Sequence, residues 1–260
     1  MAERDARMET VAVLIQPGPN PEIVVNAVKA AFANIVVIEE QPESKALFIR
    51  RRAKKLGWLQ ALGQLATMTV SKFGKRFTKI RAAEILEEFG ASPDIDSQIR
   101  RVAVPSANSP EFLKTLDELR PSALLLVSTR MLKAQTLAAI ACPVINFHAG
   151  INPHYRGLQG GYWSRVMSDE ENFGATVHLV DAGVDTGGVL YQHRLKPSRR
   201  DTMHTYPLLQ TAASTGIVVK ALGDAVSGNL KPLKIAAPSR QWYHPPIWTW
   251  LWNGLNRGIW

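Results

Sequence analysis

Short runs of uninterrupted apolar residues alternate along the chain with stretches in which apolar residues recur every three or four positions. The first kind predicts strands at Val11–Ile15, Ile35–Ile38, Val102–Val104, Ala123–Val127, Cys142–His148, Gly174–Val180 and Gly188–Gln192. Ala123-Leu-Leu-Leu-Val127 carries no polar residue, as a strand covered on both faces requires. The second kind predicts helices over Pro21–Phe32, from Ser109-Pro110 to Leu119 with proline in the first turn, over Met131–Ile140 and over Met203–Val226. Strand and helix in regular alternation predict an α/β fold built on a doubly wound, mostly parallel sheet.

One segment breaks that rhythm. Between the second strand and Gly90, Ile49, Ala53, Leu56, Leu59, Leu62, Ala66, Val70 and Phe73 form a helical apolar stripe that Gly57 and Gly63 weaken. The net charge of +9 comes from 31 Lys and Arg against 22 Asp and Glu. Eleven of the basic residues, and no acid, lie between Lys45 and Arg81, which leaves 20 basic and 22 acidic residues elsewhere. The basic excess is therefore local, on an amphipathic helix with a basic N-terminal end. Three readings stay open: a surface helix docked on the sheet with a solvated basic face, a phosphate-facing lid over a substrate site, or a helix lying on an anionic membrane. Nucleic acid is not expected as a partner, because no RNA-binding module or aromatic stacking platform accompanies the charge.

The C-terminal region has its own bias. Five of the seven tryptophans, Trp242, Trp248, Trp250, Trp252 and Trp260, fall in the last 19 residues. Such a cluster marks a contact, and packing on the body or against a second copy of the chain is expected ahead of a membrane interface. The organisation expected is a catalytic domain over 1–200 with a helical insertion at about 43–90, and a C-terminal helix and Trp-rich tail over 201–260 packed on it. The single cysteine, Cys142, reads as a small buried hydrophobe. Residues 1–9 alternate in charge without an apolar core, so no secretory leader is expected. The uncharged stretch Leu56–Ser71 holds 16 residues, Gln60 and Gln64 among them, too short and too polar to span a bilayer, and a cytoplasmic protein is expected.

Candidate chemistry concentrates where two strands end. Asn146-Phe-His148 closes one apolar strand, and Asp185 follows the histidine by 37 residues, after the next strand. Ligands of open α/β sheets collect at the carboxyl ends of strands. An amide N–H and an imidazole can hold a developing oxyanion, and a carboxylate can orient the imidazole or take a proton. His148, His154, His178, Asp181 and Asp185 show no recognised metal-ligand spacing, so no metal is expected.

Asn146-x-His148, Asn152-Pro-His-Tyr-Arg-Gly157, Gly174-Ala-Thr-Val-His178 and Asp185-Thr-Gly-Gly188, in this order within 43 residues, resemble the N10-formyltetrahydrofolate-dependent formyltransferase family. The likeness is good over about 102–195 and only in outline before it. It implies the Rossmann-like formyltransferase fold, N10-formyltetrahydrofolate as co-substrate, and Asn146, His148 and Asp185 as the catalytic residues. It also implies that Arg130, Met131 and Leu132, with Val180 and Asp181, form the walls of the pteridine site.

Within the family, the first strand departs from the purine-pathway member. Gln16-Pro-Gly-Pro-Asn-Pro21 sets three prolines where a phosphate cradle or a dinucleotide fingerprint needs backbone N–H donors. The chain also ends about 70 residues after the last motif strand, short of the added C-terminal domain of methionyl-tRNA formyltransferases. The resemblance therefore points to a small amine acceptor, first an amino sugar on a nucleotide diphosphate of the kind used for lipopolysaccharide O-antigen. Tyr155, Arg156, Tyr162 and Trp163 are the candidate acceptor contacts, with core packing an equal reading for the last two. Formylation of another amine (glycinamide ribonucleotide, methionyl-tRNA or an amino acid), formyltetrahydrofolate hydrolysis, and a non-catalytic nucleotide- or membrane-surface-binding module are the alternatives.

Overall fold

A computed structural model describes residues 9–260, so residues 1–8, most of the stretch on which the expected lack of a leader rests, lie outside the described ones. The first half of the chain runs β1 (Thr10–Ile15), α1 (Pro19–Ala31), β2 (Asn34–Glu40), α2 (Lys45–Leu56), α3 (Trp58–Gly74), α4 (Lys79–Glu88), β3 (Arg100–Val104), α5 (Pro110–Leu119) and β4 (Ala123–Val127). It continues through α6 (Ala134–Ala138), β5 (Val144–His148), β6 (Arg156–Gly157), α7 (Gly160–Val166), β7 (Gly174–Leu179) and β8 (Val189–Arg194). The last elements are α8 (Tyr206–Ala213), α9 (Thr215–Val226), β9 (Gln241–Trp242) and α10 (Ile247–Arg257).

Seven strands form one sheet in the order β3-β2-β1-β4-β5-β7-β8. The first four pairings are parallel, and β7 runs antiparallel to both β5 and β8. The expected mostly parallel sheet is thus present, with an antiparallel edge. Because successive side chains alternate faces, the apolar strands feed two cores. Val11, Val13, Leu125, Ile145, Phe147 and Val177 pack with Val24, Val28, Val218 and Leu222 of α1 and α9. Ala12, Leu14, Leu124, Leu126 and Val144 pack with Phe112 and Leu116 of α5 and with Leu132. A third cluster joins Ile85, Tyr162, Phe173, Tyr206 and Leu209 under α4, α7 and α8.

Three helices differ from expectation. The helix expected over Met203–Val226 is two, α8 and α9, meeting at Ser214, which is buried. The helix expected over Met131–Ile140 shrinks to Ala134–Ala138, because Asn108 takes the Lys133 amide onto its Oδ1 (2.6 Å) and gives its own amide to the Met131 carbonyl (2.9 Å). The stripe over 49–73 is not one helix: Gly57, at φ +85°, ends α2 and starts α3, a left-handed backbone that glycine adopts without a Cβ clash.

The larger correction concerns which side of α3 faces in. Its buried positions are Ala61, Gly63, Gln64, Thr67 and Ser71, small or polar residues, whereas Trp58, Leu59, Leu62, Val70 and Phe73 are exposed. The helix docks by its polar face and turns its apolar stripe outward. The tail folds as α10, which lies against α3. Among the described residues no helix is long and apolar enough to cross a membrane.

Candidate active site

The site follows from the alternation along β5. Ile145 and Phe147 enter the core beneath α1 and α9; Val144, Asn146 and His148 take the opposite face. The antiparallel partner β7 sets His178 opposite Asn146 and Thr176 opposite His148. Two register pairs thus place four polar side chains side by side on otherwise apolar strands, at the carboxyl end of β5. The loop after β7 then turns back. Asp185 sits in the left-handed region at φ 51°, at a cost of about 1 kcal/mol for a residue with a Cβ, and the return brings its carboxylate into this group.

Asn146, His148 and Asp185 are brought together. Asn146 Nδ2 lies 3.3 Å from Asp185 Oδ1 and 3.1 Å from His178 Nε2. His148 Nδ1 is 3.6 Å from Asp185 Oδ2, and His178 Nε2 is 3.4 Å from Oδ1. The Gly157 amide donates to Asp185 Oδ2 at 2.8 Å. His148 Nε2 is 2.7 Å from the Tyr155 carbonyl, which can only accept, so that nitrogen carries the proton and Nδ1 faces the carboxylate. Gly150 makes this pose available: a Cβ there would stand 2.5 Å from His148 Nε2.

The electrostatics keep Asp185 ionised. Burial alone would raise its carboxyl, but His148, the hydrogen bond from His178 and the Gly157 amide outweigh burial and hold it well below the usual carboxylate range. An imidazole that gains a proton at Nδ1 therefore gains it beside a fixed negative charge. That arrangement suits proton transfer, with the Asn146 amide and the imidazolium edge available to an oxygen on which charge develops.

Arg156 does not reach toward open space: its Nη1 donates to the Val184 carbonyl (2.6 Å) and its Nε to Ser239 (2.8 Å), clamping the Asp185 loop. Tyr155 is buried, and its hydroxyl donates to Asp169 at 2.8 Å. Burial, then Asp169, pushes that hydroxyl's pKa up. Tyr162 is fully buried, accepts from Asn253 at 3.1 Å and is pushed up to about 12, first by burial; it is a core residue.

The pteridine-wall residues divide. Leu132 is buried in the cluster that also holds Val144, and Val180 packs against it. Met131 is exposed, and the Asp181 carboxylate is engaged by Gly183 and Thr186 of its own loop. The Arg130 guanidinium pairs with the buried Glu40 at 2.8 Å, and its Nη2 donates to the Gln41 and Pro105 carbonyls.

Trp163 lies on a second feature that lacked any signal in the motifs. Residues 156–157 pair with 241–242 as β6 and β9, so Trp242 stands next to the strand that donates to Asp185. Beside it lies a cavity of about 390 Å³, lined among others by Gln60, Gln64, Trp163, Arg240, Trp242 and His244. Trp163 and Trp242 stack with centroids 4.6 Å apart, and Arg240 lies 3.9 Å above the Trp242 ring. Arg52 stands 4.9 Å over Tyr243, also of the lining, and Lys55 lies 5.4 Å from the same ring. His244 Nδ1 and Gln64 Oε1 are buried with no hydrogen-bond partner among the described residues. Burial, then the Arg52 charge, holds the His244 pKa down to about 4, so its ring is neutral at pH 7.

The sequence names His178 only as part of a motif and among histidines without metal-ligand spacing, not as a neighbour of Asp185. Its signal was available as Thr176-x-His178, the same polar alternation in an apolar strand as Asn146-x-His148.

Comparisons with known proteins agree on the fold and divide on the substrate. A methionyl-tRNA formyltransferase of Halothermothrix orenii is 33% identical over 124 residues, 46% of this chain and 38% of that protein, so the chain spans about two fifths of that relative. A sugar N-formyltransferase from Shewanella sp FDAARGOS_354 superposes with TM-score 0.58 at 14% identity, over 90% of this chain and 76% of its own. A glycinamide ribonucleotide transformylase from Symbiobacterium toebii superposes with TM-score 0.56 at 16% identity, over 91% and 94%. A sugar 3N-formyl transferase determined in the presence of dTDP and 5-N-formyl-THF gives TM-score 0.53 at 16% identity, over 91% and 70%. The family model described as Formyl transferase matches residues 73–220, more than half of the chain and all of the constellation around Asp185, and the chain belongs to that family.

Proposed function

We propose that this protein transfers a formyl group from N10-formyltetrahydrofolate to the primary amine of an amino sugar carried on a nucleotide. The observation that carries the reading is the group of Asn146, His148 and Asp185 at the carboxyl end of β5, with His148 Nδ1 turned to an ionised carboxylate. The donor supplies the formyl carbon, and Leu132 and Val180 offer an apolar wall for its ring. The amine nitrogen bonds to that carbon while the carbon's bond to the donor nitrogen breaks. His148 accepts the amine's proton at Nδ1, Asp185 balances the imidazolium, and Asn146 donates to the formyl oxygen as charge gathers there. The donor nitrogen takes up a proton as it leaves.

The acceptor assignment rests on the cavity one strand away. Trp163 and Tyr243, half-buried in its lining, offer aromatic surface to a nucleobase, Arg240 and Arg52 suit a diphosphate, and Gln64 and neutral His244 bring polar atoms without partners among the described residues. The likeness to sugar N-formyltransferases, one of them studied with dTDP and a formylated folate, supports the same choice. The matched methionyl-tRNA formyltransferases share only part of their length with this chain.

The test is to incubate the protein with N10-formyltetrahydrofolate and dTDP-, GDP- or UDP-linked amino sugars and look by mass spectrometry for one added formyl group. Glycinamide ribonucleotide and charged initiator tRNA run in parallel, and efficient turnover of either overturns the acceptor. Formate released without any acceptor makes the protein a hydrolase instead. With a working acceptor, Arg240→Ala should raise its KM about tenfold and leave the KM for the folate unchanged.

A further inference from the structure

We propose that α3, the turn after it and α10 form a face that docks on an anionic membrane surface. The inference does not depend on which amine is formylated. Its first ground is the inverted α3: Trp58 (61% exposed), Leu59 (72%), Leu62, Val70 and Phe73 (70%) share the outward side, while Gln64, Thr67 and Ser71 are buried. Phe77 and Ile80, each 75% exposed, extend that surface through the turn into α4.

The second ground is that α10 repeats the inversion. Trp248, Leu251, Trp252 and Leu255, spaced as one side of a helix, are exposed, whereas Asn253 and Gly254 are buried. The two helices pack together, and their stripes meet at Trp248. A Cβ on Gly63 would stand 2.4 Å from the Trp248 ring, so the ring lies directly on the α3 backbone, yet it keeps 42% of its surface exposed. Two helices independently burying polar residues and exposing tryptophan, phenylalanine and leucine make a continuous apolar surface, which water-facing proteins ordinarily avoid.

Charge identifies the occupant. Lys72, Lys75, Arg76 and Lys79 are exposed around the stripe, and Lys54 is exposed near the end of α2 that leads into it. No Asp or Glu occurs between Lys45 and Arg81 or after Asp224, so both segments that build this face lack carboxylates altogether. A second copy would bring like charge against like charge. An anionic lipid surface instead satisfies the apolar residues in its interfacial zone, where tryptophan is favoured, and the cations at its headgroups. Since no described helix can cross a bilayer, the contact lies in the plane of the surface.

The test is co-sedimentation of the full chain with vesicles of phosphatidylcholine alone and of phosphatidylcholine mixed with phosphatidylglycerol. Binding should require the anionic lipid and weaken with added salt. The triple variant Lys54→Gln, Lys72→Gln, Lys75→Gln should bind the mixed vesicles roughly a hundredfold more weakly. The apolar variant Phe73→Ser, Phe77→Ser, Trp252→Ser should lose binding while keeping the wild-type circular dichroism spectrum. Tryptophan emission of the wild-type chain should shift blue on the mixed vesicles, a readout that needs no variant. Absence of binding to both vesicle types, or equal binding to both at all salt concentrations, overturns the proposal. So does a dimer in light scattering that Phe73→Ser, Phe77→Ser, Trp252→Ser converts to monomer without any vesicle binding by the wild type.

Discussion

Two regions of this molecule break the burial rule in opposite senses. Where β5 meets β7, Thr176, His178 and His148 are buried within apolar strands; on α3 and α10, large apolar side chains face outward over buried Gln64, Thr67 and Asn253. The buried polar group is satisfied internally. Every member has a partner within the site: Asn146 to His178 and Asp185, His148 to the Tyr155 carbonyl, Thr176 to the Gly150 carbonyl at 2.7 Å. The exposed apolar group has no such internal answer, since nothing among the described residues covers Leu59, Phe73, Phe77 or Leu255. A satisfied inversion preorganises chemistry, and an unsatisfied one asks for a partner.

The first prediction tests the satisfied side and carries the largest effect. Asn146→Ala, His148→Ala and Asp185→Ala should each lower formyl transfer by roughly a hundredfold or more, because loss of one donor to a developing oxyanion costs about 3 kcal/mol. Far-ultraviolet circular dichroism should stay that of the wild type. Near-wild-type rates in all three purified variants would reduce the group to a structural network. The same carboxylate makes an acid signature: its folded pKa lies below the unfolded value of about 3.9, so the stability it adds is complete above that pH and is lost as pH falls further. Asp185→Asn should remove that acid-side loss in a urea titration.

The second prediction concerns His244, whose buried Nδ1 lacks a partner among the described residues, standing between the two regions at the cavity. Its folded pKa of about 4 lies below the ordinary histidine value of 6.5, so the folded state resists the proton that the unfolded chain accepts. The stabilisation from the neutral ring is full above about 6.5 and declines as pH falls toward about 4, by at most about 3 kcal/mol. His244→Gln should flatten the unfolding free energy across that window. A variant with the wild-type slope there would mean that the ring is solvated.

How far the sequence carried the reading follows the same contrast. The strands and their mostly parallel order were legible because alternation and apolar runs report local geometry directly, and β5 and β7 obey it. Asn146, His148 and Asp185 were singled out by their place at strand ends and by the ordered motifs that resemble the formyltransferase family, and the structure sets them side by side. The cavity was not legible. It needs residues 60–64 of an inserted helix beside 240–246, and the latter reach the site through the short β6–β9 pairing, two residues on each side, and long-range bonds such as Trp242 Nε1 to the His154 carbonyl, none of which has a local sequence signal. The direction of α3 was not legible either, because a helical period gives the spacing of a stripe and not the side it faces. Gln64, read only as too polar for a membrane span, was the residue that could have signalled it: it falls among the small, polar side that is buried.

The last prediction sharpens the comparison on a single helix, where the two sides of α3 should respond unequally, and in the reverse of the order that ordinary helix rules give. Replacing exposed Phe73 by serine removes a large apolar side chain, yet at 70% exposure it has little packing to lose, and thermal unfolding should move by no more than the equivalent of about 0.5 kcal/mol. Gly63→Ala is ordinarily favourable inside a helix by up to about 1 kcal/mol. Here the new methyl would meet the Trp248 ring at 2.4 Å and Pro246 at 2.9 Å, so the ring must leave its seat and α10 loses its closest approach to α3. The variant should melt below the wild type, by the equivalent of about 1 kcal/mol, with a red shift of tryptophan emission as Trp248 is released. A higher melting temperature for Gly63→Ala, or a marked loss for Phe73→Ser, would place the packed side of α3 where its exposed side now stands, and the apolar stripe would then belong to the core.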